Sequence, residues 1–156
     1  MSTSVIAVGS RAPDFTIYNT DEKPVSLADF KGKQNVLLAF FPAAFTSTCT
    51  AEVCAFSDDY SAFEGKGVYV LPVSGDAVPS LKEFRAKYKM SLHLASDMKR
   101  EVSRAYGVLN EATFIPRRSY ILIDKGGVVR WVHVEAKNGE RRENAELLAA
   151  IDALPA

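Results

Sequence analysis

Asn35 to Phe41 reads NVLLAFF, an unbroken apolar run of strand length. Such a run predicts a central strand covered on both faces, and Pro42 ends it because proline cannot donate to a ladder. From Thr48 to about Glu64 the pattern changes: Cys49, Val53, Phe56, Tyr60 and Phe63 recur at spacings of four and three. That stripe predicts one amphipathic helix, stopped by Gly65 and Gly67. Val68 to Val73 reads as a second buried strand, about Pro79 to Tyr88 as a helix, and Leu92 to Ala95 as a short strand. Met98 to Tyr106 predicts a helix closed by Gly107. Ser119–Ile123 and Val128–Val134 flank Asp124-Lys125-Gly126-Gly127, a hairpin signal, and Glu143 to Leu154 reads as a closing helix. With early strands ahead of this series, the order predicts an α/β fold, a mixed central sheet with helices on both faces.

At 156 residues the chain is expected to form a single domain spanning 1–156. Hydrophobic residues at 47% and charged residues at 24% exclude a disordered or fibrous protein. Nineteen basic side chains balance nineteen acidic ones, so no field is built for nucleic acid or an anionic membrane. The longest apolar run, Val36 to Phe45, is broken by Pro42 and falls well short of the ~20 residues a spanning helix needs. Residues 1–15 carry one basic side chain, Arg11, and no apolar run behind it, so no targeting segment is expected. The expected setting is the reducing cytoplasm, where the two cysteines are read as thiols rather than a permanent bridge.

Candidate chemistry sits where the first buried strand turns into the first long helix, over Pro42-Ala43-Ala44-Phe45-Thr46-Ser47-Thr48-Cys49-Thr50. A helix start offers unpaired N–H groups and the positive end of the macrodipole, which favour a thiolate. The helix alone is too weak. A free thiol, with pKa about 8.5, is only a few per cent ionised near neutral pH, and full ionisation takes roughly 3.4 kcal/mol. A helix terminus supplies about 0.3–1 kcal/mol and seldom about 2. A fixed cation is therefore needed beside Cys49, unless the residue is simply a small core hydrophobe.

Pro42-x-x-x-Thr46-x-x-Cys49 resembles the peroxiredoxin active-site motif. Val8 to Phe15 (VGSRAPDF) resembles the family's N-terminal signature, and Lys31 to Leu38 its approach to the active-site strand. Ser103 to Val108 and Arg118 to Asp124 resemble later family blocks. The resemblance implies a thioredoxin-like fold and reduction of hydrogen peroxide, organic hydroperoxides or peroxynitrite, with no cofactor and no metal. By motif match it implies that Cys49 is the peroxidatic nucleophile, that Thr46 holds the peroxide by its hydroxyl, and that Pro42 shields the sulfur. The family's arginine stands six residues before the strand-closing aspartate, which implies Arg118 ahead of Asp124 rather than its neighbour Arg117. Adjacent strand residues point to opposite faces, so only one of the two can reach Cys49.

Cys54, five residues after Cys49, stands where the bacterioferritin-comigratory (Q-type) group carries its resolving cysteine. The Phe40–Phe45 block, the Tyr106–Glu111 stretch and the C-terminal half look more like the one-cysteine alkyl hydroperoxide reductase E group, which lacks it. In an intact helix residues five apart have Cα atoms roughly 8.6 Å apart. A disulfide needs less than about 7 Å, so resolution by Cys54 requires the helix start to unwind. The alternative is a one-cysteine peroxidase or a thiol redox sensor with Cys54 uninvolved. A thiol–disulfide oxidoreductase would use C-x-x-C, which this chain lacks, and a non-catalytic module is disfavoured by the intact motif.

The family also implies thioredoxin, a glutaredoxin-type protein or a low-molecular-weight thiol as reductant, and a monomer if the Q-type resemblance governs or a homodimer, the preferred expectation, if the E-type one does. Glu52 is read either as a support for Arg118 or as an exposed first-turn glutamate, and Phe45 as a pocket wall or dimer contact. His93 and His133 are read as structural, Tyr120 and Trp131 as core or half-buried strand residues, and Lys137 to Arg142 as a solvated turn.

Overall fold

The computed structural model describes residues 4–154; the outermost residues of the expected 1–156 span lie outside it. The strands are β1 (Thr16–Asn19), β2 (Pro24–Ser26), β3 (Asn35–Phe40), β4 (Val68–Ser74), β5 (Ala95–Ser96), β6 (Leu109–Asn110), β7 (Ile115–Pro116), β8 (Ser119–Ile123) and β9 (Val129–Val134). The helices are α1 (Ser47–Asp58), α2 (Tyr60–Gly65), α3 (Val78–Lys87), α4 (Glu101–Ala105) and α5 (Asn144–Asp152). Seven strands form one sheet in the order β2-β1-β5-β4-β3-β8-β9. β4 runs parallel to β3 and β5, while β8 runs antiparallel to β3. This is the mixed, thioredoxin-like sheet.

Strand alternation sorts the core into two layers. Leu37, Ala39 and Phe41 face one cluster with Val53 and Phe56 of α1, Phe63 of α2, Leu81 and Phe84 of α3, and Leu147 and Ile151 of α5. Val36, Leu38 and Phe40 face the other, with Val102 of α4, Tyr106, Phe15 and Leu27. Helices thus cover both faces, and β3 is buried along its length after Asn35. Because β8 is antiparallel to β3, its start at Ser119 pairs with Phe40, where β3 ends. Residue 118 and the β3–α1 junction therefore meet at one end of the sheet.

The predicted helix over 48–64 is two helices. The chain breaks at Asp59, where the Asn144 amide donates to the Ala55 carbonyl (2.9 Å) and to Asp59 Oδ2 (2.8 Å). The Ala55 carbonyl also keeps its helical bond from the Asp59 N–H (3.1 Å), so the amide from α5 adds a second donor at the C-terminal end of α1. The short strand falls at 95–96 rather than 92–95, and α4 begins only at Glu101, after Arg100 adopts a left-handed conformation (φ +60°). The hairpin forms as expected: Asp124 Oδ1 accepts from the Gly126 and Val128 N–H groups, and Gly127 takes φ +83°. Among the described residues no helix is long and apolar enough to cross a membrane.

Candidate active site

The β3–α1 junction is a tight loop pinned from the neighbouring strand. The Ala44 N–H donates to Asp76 Oδ2 (2.9 Å), and the Ser74 hydroxyl at the end of β4 donates to the same oxygen (2.6 Å). Phe45 takes a left-handed conformation, φ +67°, to complete the turn, and its half-exposed ring lies 5.0 Å from Phe84. Pro42 is half-buried at the head of this loop.

Thr46 is the N-cap of α1, yet its side chain does not cap. Its hydroxyl donates to the Ala43 carbonyl (2.8 Å), so its remaining capacity is as an acceptor. The first bond into α1 runs from the Thr50 N–H to the Thr46 carbonyl (2.9 Å), which leaves the N–H groups of Ser47, Thr48 and Cys49 outside the helical ladder. Cys49 is the third residue of the helix and only 1% exposed.

Arg118 is equally buried, while Arg117 is exposed, as the alternation of adjacent strand residues requires. Arg118 Nη2 lies 3.0 Å from Cys49 Sγ. Nη1 donates to Glu52 Oε1 (3.0 Å), and Nε and Nη2 both donate to the Asn138 carbonyl (3.2 and 3.0 Å). Four of the five guanidinium N–H groups are thereby placed, and one on Nη1 has no partner among the described residues. Burial works against the guanidinium charge, but Glu52 and the sulfur outweigh it and hold Arg118 protonated.

Glu52 is buried, which corrects the reading of it as an exposed first-turn residue. It stands one turn beyond Cys49 on the same helix face. Oε1 meets Arg118 and Oε2 accepts the Tyr120 hydroxyl, which in turn accepts the Arg142 N–H (2.9 Å). Burial raises the Glu52 carboxyl above the usual range, against the pull of Arg118 and Tyr120. Burial and the Glu52 carboxylate push the Tyr120 phenol far upward, so it serves as a donor.

The segment Lys137–Arg142 is not simply a solvated turn. Its side chains from 137 to 140 are exposed, but its backbone supplies the Asn138 carbonyl to Arg118 and the Arg142 N–H to Tyr120. The Arg142 guanidinium grips buried Glu135 (2.6 Å), whose own N–H donates to the Arg118 carbonyl (2.9 Å). Tyr120 and Asn138 were missed in the sequence. For Tyr120 a signal existed, because residues 118 and 120 share one face of β8. For Asn138 none existed, since a backbone carbonyl carries no residue signature.

Cys54 is half-buried on α1, and both cysteines are free thiols. Burial and the Asp58 carboxylate push the Cys54 thiol up. Among the described residues no three His, Cys, Asp or Glu side chains cluster as a metal site.

The AhpC/TSA family matches residues 8–132. Peroxiredoxin Q, chloroplastic, of Oryza sativa subsp. japonica is 41% identical over 130 residues, covering 82% of this chain; the chain spans 59% of the length of that relative. Alkyl hydroperoxide reductase E of Mycobacterium bovis is 34% identical over 154 residues, covering 97% of this chain and the whole of that protein. Among solved structures, reduced Plasmodium vivax 2-Cys peroxiredoxin superposes with a TM-score of 0.87 at 31% identity, over 94% of this chain and 80% of that one. Relatives named for the Q-type and E-type groups both match, as the mixed sequence signatures led one to expect. On the match over residues 8–132 and the thioredoxin-like fold, the chain belongs to the AhpC/TSA family of peroxiredoxins.

Proposed function

We propose that the protein is a thiol-dependent peroxidase with Cys49 as its nucleophile. The observation that carries this reading is the guanidinium of Arg118, buried with the sulfur and 3.0 Å from it, with its orientation fixed from two other sides. The Cys49 thiolate attacks the terminal oxygen of a hydroperoxide. The O–O bond breaks, sulfur becomes sulfenic acid, and the leaving alkoxide or hydroxide takes a proton to depart as alcohol or water. The Thr46 hydroxyl, its proton committed to Ala43, accepts from the peroxide O–H. The free N–H on Arg118 Nη1 and the unpaired N–H groups at the start of α1 stabilise charge on the departing oxygen. Pro42 closes one side of the pocket.

Cys54 resolves the sulfenic acid: Cys49–SOH and Cys54–SH give a disulfide and water. In the folded helix its raised pKa keeps it a poor nucleophile and the Cα separation is too great, so α1 must unwind between the two residues. A thioredoxin, a glutaredoxin-type protein or a small thiol then reduces the bridge. The two unpaired thiols suit the reducing cytoplasm, and the half-exposed Phe45 ring offers a homodimer contact beside the active-site loop.

One equivalent of hydroperoxide followed by intact-mass measurement tests this scheme. The native protein should lose two hydrogens, the mark of a disulfide, while Cys54→Ser should gain one oxygen and keep it. A stable sulfenic acid in the native protein would remove Cys54 from the cycle.

A further inference from the structure

Glu52 stands between Cys49 and Cys54 on α1, and beside the apolar packing of Val53 and Phe56 it ties the middle of that helix to the β8 side of the sheet by hydrogen bonds. One carboxylate oxygen is held by Arg118 and the other by the Tyr120 hydroxyl. Both partners belong to one face of the β8 segment, and Tyr120 lies on a strand paired on both sides, to β3 and β9. Tyr120 is wholly buried and is itself held by the Arg142 N–H. Bringing the two sulfurs within bonding distance turns residues 49–54 out of helical geometry. Glu52 is carried with them, away from Arg118 and Tyr120.

Oxidation changes what holds the helix. Before it, Arg118 grips Cys49 Sγ as well as Glu52. Sulfenic acid is neutral and carries an added oxygen, so the charge attraction between guanidinium and sulfur is lost. The Glu52 bonds to Arg118 and Tyr120 then remain as the polar fastening of this part of α1.

We propose that the Tyr120 hydroxyl and Glu52 form a latch that sets how long the sulfenic acid stays in the folded site before Cys54 can reach it. The proposal rests on the peroxidase reading above. Two fates compete for that intermediate. With the latch closed, a second hydroperoxide converts Cys49–SOH to Cys49–SO₂H, releasing alcohol or water. With it open, Cys54–SH gives the disulfide and water. Tyr120 is thus a positioning residue that acts through Glu52.

Tyr120→Phe keeps the ring and removes only the hydroxyl. Rapid mixing with limiting hydrogen peroxide, quenching with an alkylating reagent and mass analysis separates sulfenic acid formation from disulfide formation. The variant should form the disulfide about 10-fold faster than native protein, the scale of losing one hydrogen bond to a charged group. Its sulfenic acid formation should be slowed, because Tyr120 holds Glu52 and Glu52 holds Arg118, and its yield of sulfinic acid under excess peroxide should fall. Amide hydrogen exchange across residues 50–55 should rise while that of β3 and β4 stays native. Glu52→Gln, which weakens the latch from the helix side, should move disulfide formation and exchange in the same direction. Disulfide formation that is unchanged or slower in Tyr120→Phe overturns the latch, as does a native protein that forms no Cys49–Cys54 bridge. Peroxidase turnover surviving in Cys49→Ser would defeat the active-site reading itself; inactive Cys49→Ser with native resolution in Tyr120→Phe defeats only the latch.

Discussion

Cys49→Ser should reduce hydroperoxide turnover by about a thousand-fold or more, to the uncatalysed background, while the protein stays folded. The sulfur is 1% exposed, and serine is slightly smaller with an oxygen able to accept from Arg118 Nη2, so packing around α1 changes little. The chemistry does change. A hydroxyl ionises far less readily than a thiol, and oxygen does not carry an added oxygen as sulfenic acid does. Coupled assays with thioredoxin and with a small thiol should both read zero above background. Thermal denaturation should overlay the native curve within a few degrees.

Arg118→Met should slow the peroxide step by about a hundred- to a thousand-fold, the scale seen when a preorganised charge donor is removed. Methionine fills much of the space but carries neither the charge nor the fork. Unlike Cys49→Ser, this change should also destabilise the protein, by about 3–5 kcal/mol, because it strands the buried Glu52 carboxylate without its cation. The stability loss should depend on pH in a definite direction. Burial already holds the Glu52 carboxyl above its ordinary value with Arg118 present, and without Arg118 it rises further. A carboxyl raised in the folded state favours the fold below the ordinary carboxylate range and loses that contribution as pH climbs through the raised value. Melting temperatures of the variant should therefore decline from weakly acid to neutral pH more steeply than those of the native protein. A flat profile would mean that Glu52 finds another partner.

Much of the architecture was readable because its signals are local. NVLLAFF has no plausible place other than a covered strand, and Asp124-Lys125-Gly126-Gly127 carries its turn in its own side chains and glycines. The break at Asp59 was not readable, since Asn144, which bonds to the chain there, arrives from α5, far along the sequence. At the site, the motif residues sit on one short segment; strand alternation left Arg117 and Arg118 open, and it was the family resemblance, through its offset to the strand-closing Asp124, that implied Arg118. Glu52 could not be decided from α1 alone. An acidic residue in an early helical turn satisfies the dipole whether exposed or not, and only the sheet opposite it makes the difference. The role of residues 137–142 was hidden for another reason: a solvated run of polar side chains says nothing about where its backbone carbonyls point.

On the peroxidase reading proposed above, a sulfur in a residue only 1% exposed sorts its visitors by size. A hydroperoxide can thread its terminal oxygen to such an atom, whereas a folded reducing protein cannot bring its own cysteine there. On the same reading, oxidant and reductant would then be kept apart in time, each served by a different shape of the same helix, with no open door through which electrons drain from one to the other.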